Sequence, residues 1–455
     1  MNLENRKFLK KPEIVFVCIA SFFGILSTIF MPILSVPDEN QHFQVGYAIF
    51  SKNGRASSDL VLSEEIVQTA VRNGSYKSYF SKISSAKSDG AAINTNNYVF
   101  DGKTRASVFD LMRLPQAIGI LIARFIYPSL GFMVLIGRLL NLTLFILSTY
   151  FIIKKVKYGK WAFVFIACIP MIIQQAASLS YDVMNLIAIL AWVAFIINLS
   201  CQQVKITKQQ LIIGTLLALF LLITKSNNIL LFALLFVIPK KIIPLPTKLT
   251  KIRSSKHWAA IKYLTYATMI VIALIGFYIM SQKILAGHEF HPKKLLSVLL
   301  NTFYWGDLGL IDVTTIGIFG QFSNFYYHLP AWIVVLAFII LALIMLYENI
   351  PNISKRFAII SASLFMGSVL LISIGMYYGW AMRPVRLGLN ANITDGIQGR
   401  YFTPLLVLLL PAFAYLQRYI KITTSDKNII PIVTVVTSII LLATYLIQTY
   451  HFFWM

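Results

Sequence analysis

The chain alternates long apolar runs with short polar breaks, and the runs carry no strand-like period of two. Apolar blocks occupy residues 13–34, 130–153, 161–178, 183–199, 211–238, 263–285, 329–347, 357–379, 401–416 and 429–452. Most approach the roughly 20 residues that a helix needs to cross a bilayer. The pattern predicts an all-α, polytopic helical membrane protein, one integral domain over residues 1–455 with about eleven transmembrane helices. One block counts twice. Residues 211–238 are interrupted by Lys225-Ser226-Asn227-Asn228, and a lysine at a helix centre costs about 2.5–3.5 kcal/mol on insertion. Two short helices meeting at the tetrad therefore fit better than one long tilted span.

The longest polar segment, residues 35–113, predicts an extracytoplasmic loop. Within it Leu60–Arg72 reads as an amphipathic helix, and residues 77–97, rich in Ser, Asn and Ala, read as a loop. Leu114–Tyr127 is apolar but short, with Pro115 and Arg124 inside it, and is expected to lie in the outer interface. Further extracytoplasmic loops are expected at residues 286–328 and 380–400, and a basic cytoplasmic loop at residues 240–262. No internal repeat is evident, unlike transporters built from duplicated halves.

Composition sharpens this picture. Hydrophobic residues make up 58% of the 455 and charged residues 13%, yet the formal net charge is +23. The cations gather in short loops: Arg6, Lys7, Lys10 and Lys11; Lys154, Lys155, Lys157 and Lys160; Lys240, Lys241, Lys248, Lys251, Arg253 and Lys256. That is the positive-inside bias of a multi-pass cell-membrane protein with a cytoplasmic N-terminus, in contact with membrane lipids and with no nucleic acid. Cys18, Cys168 and Cys201 fall in or beside spans, so neither a disulfide framework nor a thiolate metal site is expected.

Candidate chemistry concentrates at the exit of the first span, Ser35-Val36-Pro37-Asp38-Glu39-Asn40-Gln41-His42-Phe43. Asp38 and Glu39 read either as solvated loop charges after Pro37 or as catalytic carboxylates. A partly desolvated carboxylate at this depth can act as general base, or bind a divalent cation such as Mg or Mn beside a phosphate. His42, four residues after Asp38, could orient it or share a metal with it. Lys225 and Arg400 are candidate phosphate ligands, against the alternatives of a snorkelling lysine and a span-flanking arginine. Arg383 and Arg386 are similar. Asp182 reads as a helix N-cap or a site neighbour, and Arg138 as half of an ion pair or a ligand for lipid phosphate. His288-Glu289-Phe290-His291 lacks the HExxH spacing that would put two imidazoles on one helical face.

Several of these residues fall in an ordered set of motifs. Pro37-Asp38-Glu39-Asn40-Gln41-His42-Phe43 resembles the PDE-x-x-H-F signature of a family of bacterial polytopic membrane proteins of unassigned function. That family is similar to the GT-C glycosyltransferases. Arg138-Leu139-Leu140-Asn141 looks like its R-x-x-N, Ser178 to Asp182 like its S-x-S-x-D, and Gln398-Gly399-Arg400-Tyr401-Phe402 with Pro404 like its Q-G-R-Y-F-x-P. Lys225 falls where the family has a lysine between two short helices. The likeness covers residues 13–417.

The resemblance implies a GT-C-like fold and a transfer of sugar from a polyprenyl-phosphate donor to a cell-envelope glycan or lipid-linked acceptor on the outer face. Asp38 would then lead the catalysis with Glu39 assisting. Lys225, Arg400, Arg383 and Arg138 would hold the lipid phosphate, and His42, Asp182, Gln398 and Tyr401 would support. One carboxylate base and a single displacement imply inversion at the anomeric carbon. The competing classes are a flippase or transporter of lipid-linked glycans, which would line a mid-membrane path with ionisable groups, and a polysaccharide polymerase.

Overall fold

The computed structural model describes residues 11–51, 76–85, 108–243, 291–303, 312–323, 327–348, 350–351, 353–383, 386–420 and 429–455. In chain order the helices are α1 (Pro12–Phe30), α2 (Glu39–Ile49), α3 (Tyr76–Ser85), α4 (Leu114–Ile126), α5 (Leu130–Lys155), α6 (Lys160–Ala167), α7 (Pro170–Ala176), α8 (Asp182–Ser200), α9 (Lys208–Thr224), α10 (Pro292–Phe303), α11 (Gly317–Gly320), α12 (Ala331–Tyr347), α13 (Lys355–Met376), α14 (Leu410–Leu416) and α15 (Ile429–Trp454). Among the described residues a two-residue antiparallel pair, Gln321–Phe322 with Tyr327–His328, is the one sheet in an all-α membrane protein. Among the described residues α1, α5, α8, α13 with its π-helical extension to Ala381, and α15 are long and apolar enough to cross a membrane. The expected span at residues 263–285 and the expected helix at Leu60–Arg72 lie outside the described residues.

α8 is buried around most of its circumference, and α5, α9 and Ser226–Val237 pack about it. Leu211, Ile212 and Leu216 of α9 and Trp332, Val335 and Leu336 of α12 are exposed apolar stripes, as lipid-facing surface requires. α1 is tied to α15 by Ser27 Oγ and Tyr445 Oη at 2.6 Å, and by Trp454 Nε1, which donates to Phe30 O at 2.8 Å.

Two expected elements take a different form, and a third packs onto its neighbour. The third span is broken into α6 and α7, because Pro170 opens α7 and has no N–H to continue the helix before it. The tenth is a 3-10 stretch, Thr403–Leu409, running into α14 with Pro404 and Pro411 in the first turns. The segment expected to lie in the outer interface is α4, which folds back on the first half of α5. Gly119 and Gly137 allow that approach: a Cβ on Gly119 would sit 2.7 Å from the Gly137 Cα.

The block at 211–238 is a hairpin. α9 runs 17 residues and the 3-10 helix Ser226–Val237 runs 12, lengths of about 26 Å and 24 Å at about 1.5 and 2.0 Å per residue. Both arms therefore end level, and Ile206 N donates to Ile242 O at 2.8 Å across the open end. At the tip the Asn228 amide donates to Leu221 O (3.1 Å), Thr224 Oγ1 (3.0 Å) and Asn185 Oδ1 (2.7 Å). A helix broken at membrane depth survives only where protein satisfies its loose ends, and here one buried asparagine does so.

At the opposite end of the bundle Glu348, at the C-terminus of α12, accepts from the backbone N–H of Trp161 and, at 3.4 Å, of Ala162. Its carboxylate thereby caps α6, whose own cap residue is Gly159 and supplies no side chain.

Asn228→Ala should lower the stability of the detergent-solubilised protein by about 1–3 kcal/mol. Thermal unfolding followed by circular dichroism reads it, and an unchanged midpoint would mean that the tip is held by something else.

Candidate functional site

The site begins in the turn between α1 and α2. Pro32 and Pro37 stop the helix from continuing, and Leu34 and Asp38 take left-handed backbone with φ of 61° and 63°. Aspartate is at home there, leucine is not. The turn is held by Tyr79 Oη, which accepts from Ile33 N at 2.8 Å, and above all by Arg138 of α5.

All five N–H groups of Arg138 are used. Nη1 donates to Met31 O (2.7 Å) and Thr28 O (3.3 Å), and Nη2 to Pro32 O (2.9 Å). Nε and Nη2 fork onto the two Glu39 oxygens at 2.8 and 2.5 Å. Glu39 Oε1 also accepts from Leu179 N at 3.1 Å, which ties the turn to the segment entering α8. The two side chains are 1% and 0% exposed. This corrects the roles expected for both. A guanidinium without a spare donor cannot hold a lipid phosphate, and an enclosed carboxylate cannot reach an acceptor hydroxyl. They are positioning residues.

Asp38 is the opposite case. Its side chain is 52% exposed and its Oδ2 lies 2.5 Å from Nη2 of Arg400, which is 4% exposed. Arg400 Nη1 donates to Pro37 O at 3.3 Å. A second pair stands beside it: Lys225 Nζ lies 2.6 Å from Asp182 Oδ1. The Tyr401 ring joins the pairs, 5.2 Å from Lys225 Nζ and 5.4 Å from Arg400 Cζ. Tyr181 faces Lys225 at 5.9 Å and Arg113 at 4.7 Å, and the His42 ring meets its edge at 5.2 Å. Arg113 is paired with Asp110 at 2.6 Å.

Local devices set these positions. Lys225 sits at the extended break between the two hairpin arms. Asp182 opens α8 after a turn whose carbonyls, Ser178 O and Ser180 O, accept from Asn141 of α5 at 2.8 and 3.0 Å. Arg400 lies in a short 3-10 turn pressed onto α11, so close that a Cβ on Gly399 would fall 2.2 Å from the Gly317 carbonyl carbon. Only glycine fits there.

Six expected residues thus meet in one cluster: Asp38, His42, Asp182, Lys225, Arg400 and Tyr401. Gln398 stands behind Arg400, where with Gln321, Pro37 and Met171 it lines a chamber of about 10 Å³. That is room for roughly one water and none for a sugar; the cluster is open where Asp38 is exposed. Arg383 and Arg386 instead stack on Trp380, at 5.2 and 4.4 Å. Arg113 and Tyr181 are additions that sequence reasoning missed. Arg113 shows the signal used for Arg400, a cation on the side expected to lack them; Tyr181 shows only its place beside Asp182.

Burial is the chief influence on His42, lowering its pKa from the usual 6.5 to about 4; Arg113 and Arg400 push the same way, against Asp182 and Asp38. The imidazole is neutral at physiological pH. Among the described residues no three His, Cys, Asp or Glu side chains gather as metal donors. The expected cation at Asp38 and His42 thus has no third acidic or imidazole ligand there among the described residues. His288 and Glu289 lie outside them, and His291 directly precedes α10.

A family model for predicted membrane proteins, DUF2142, matches residues 21–409. The chain belongs to the DUF2142 family. No curated protein and no solved structure matches it. The DUF2142 match takes in the whole cluster from Asp38 to Tyr401 and leaves α15 outside.

Two outcomes follow from this geometry. Arg138→Met strands a buried carboxylate and should cost about 3–5 kcal/mol, much of it regained in Arg138→Met with Glu39→Leu; unfolding midpoints of the three proteins decide it. For His42 the folded pKa lies below the unfolded one, so its contribution is complete above pH 6.5 and is lost as pH falls toward 4. Between pH 7 and 4 the wild type should lose up to about 3 kcal/mol more stability than His42→Gln.

Proposed function

We propose that the protein is an inverting membrane glycosyltransferase of GT-C type, with about eleven spans and its site on the outer face of the cell membrane. It takes a sugar from a polyprenyl-phosphate donor and places it on a cell-envelope glycan or lipid-linked acceptor. The observation that carries this is the meeting of a half-exposed carboxylate, Asp38, with an enclosed cation, Arg400, and a partly buried one, Lys225, drawn from distant segments of an otherwise apolar bundle.

The chemistry needs those charges. The acceptor hydroxyl gives its proton to Asp38 as its oxygen bonds to the anomeric carbon. The bond from that carbon to the phosphate oxygen breaks, and the electron pair leaves with the polyprenyl phosphate. Arg400 and Lys225 take up the charge that develops on the departing oxygen. Negative charge beside the ring favours the oxocarbenium-like transition state. An apolar cavity of about 310 Å³ between α1, α3 and α5, lined by Ile29, Ile33, Phe80, Ile83, Phe132 and Leu135, suits a hydrocarbon chain.

Purified protein in nanodiscs, incubated with radiolabelled polyprenyl-phosphate sugars and envelope-derived acceptors, should form a labelled product with inverted anomeric configuration. Asp38→Asn should lower the rate by at least about 10²-fold, with unchanged insertion and melting. The same assay with chelator separates stabilisation by metal from stabilisation by Lys225 and Arg400. Absence of transfer, with movement of lipid-linked glycan across the bilayer intact in Asp38→Asn, would replace the enzyme by a flippase.

A further inference from the structure

The two members of the Asp38–Arg400 pair are unequally held. The guanidinium is fixed: its side chain is 4% exposed, Nη1 is bonded to Pro37 O, and the Gly399 turn clamps the backbone against α11. The carboxylate is not. It is 52% exposed, it makes no cap bond to the helix it precedes, and a single oxygen reaches Arg400. The Lys225–Asp182 pair lacks this asymmetry, with side chains 24% and 19% exposed.

We infer that Asp38 and the phosphate of the lipid-linked ligand compete for one seat on Arg400, so that phosphate arrival releases the Asp38 carboxylate. The identity of the ligand rests on the glycosyltransferase reading; the competition itself is a property of the seat. An ion pair with one partner half in water is weak and exchangeable. A phosphate brings more charge and more acceptor oxygens to a guanidinium already oriented to receive them. The exchange makes and breaks no covalent bond. Its consequence is order: the base becomes free only when the leaving group is seated, which keeps Asp38 from acting on an acceptor before the donor is in place. Tyr401 flanks the seat, its ring centroid 5.4 Å from Arg400 Cζ and 5.2 Å from Lys225 Nζ.

The test is binding, read separately from transfer. Farnesyl monophosphate and inorganic phosphate are titrated against wild type, Asp38→Asn, Asp38→Ala and Arg400→Gln in phosphatidylcholine nanodiscs. Asparagine accepts left-handed backbone, so Asp38→Asn retains the turn, and Asp38→Ala removes any amide bond that Asn could offer Arg400. Both Asp38 variants should bind farnesyl monophosphate about two- to fivefold tighter than wild type, and Arg400→Gln at least tenfold weaker. A parallel gain with inorganic phosphate supports a seat that reads phosphate alone, and a gain with the lipid probe only supports a lipid-linked one. Equal or weaker binding of both probes by both Asp38 variants overturns the competition, as does wild-type affinity in Arg400→Gln. Tighter binding by the Asp38 variants, with no sugar transfer by wild type, sinks the enzyme reading and leaves the exchange; transfer by wild type without that gain does the reverse.

Discussion

The buried fork between Arg138 and Glu39 is the contact on which the site depends. Two charges removed from water are tolerable only when every donor and lone pair is answered, and here the answers come from the backbone of the α1–α2 turn and from Leu179. One interaction therefore fixes the end of α1, the start of α2 and the entrance to α8. Asp38 is the residue immediately before Glu39, and Asp182 opens α8, so locking the pair places both acids. The division of labour within the acidic doublet follows from enclosure: the sealed carboxylate positions, and the half-exposed one is available.

The second constraint is the bilayer's demand that backbone polar groups be satisfied within the protein. Four segments that shape the cluster are local breaches of regular helix: the turn at residues 31–38, the break at Lys225, the α7–α8 turn and the 3-10 turn at Gly399. Side chains repair each breach: Arg138, Asn228 and Asn141 for the first three, and Thr403, whose Oγ1 donates to Gly399 O, for the fourth. Irregular backbone and chemistry coincide because an extended segment projects a side chain such as Lys225 clear of its own helix.

Charge balance completes the arrangement. Three cations, Arg113, Lys225 and Arg400, each face one carboxylate, Asp110, Asp182 and Asp38. A cluster neutral within itself can stay partly buried, and an anionic ligand entering it competes with the carboxylates for their cations. The pair with the most exposed acid is the one that yields most readily.

Much of this was legible in the sequence. The apolar blocks dictate membrane helices, since burying about 20 residues in hydrocarbon is a matter of length and composition. The tetrad at Lys225 dictates a break, and the doublet after Pro37 marks where the charged cluster forms. What the linear chain could not decide is which charge faces which. Asp38 and Glu39 are neighbours of the same chemical type, and Arg138 and Arg400 are both arginines in apolar surroundings. Only packing determines that α5 brings Arg138 under Glu39 while α11 presses Arg400 against Asp38, because an ion pair depends on distance and enclosure, and neither is a property of residues taken one at a time. Tertiary structure alone therefore turned one expected ligand into a brace, one expected base into its anchor, and added Arg113 and Tyr181 to the site.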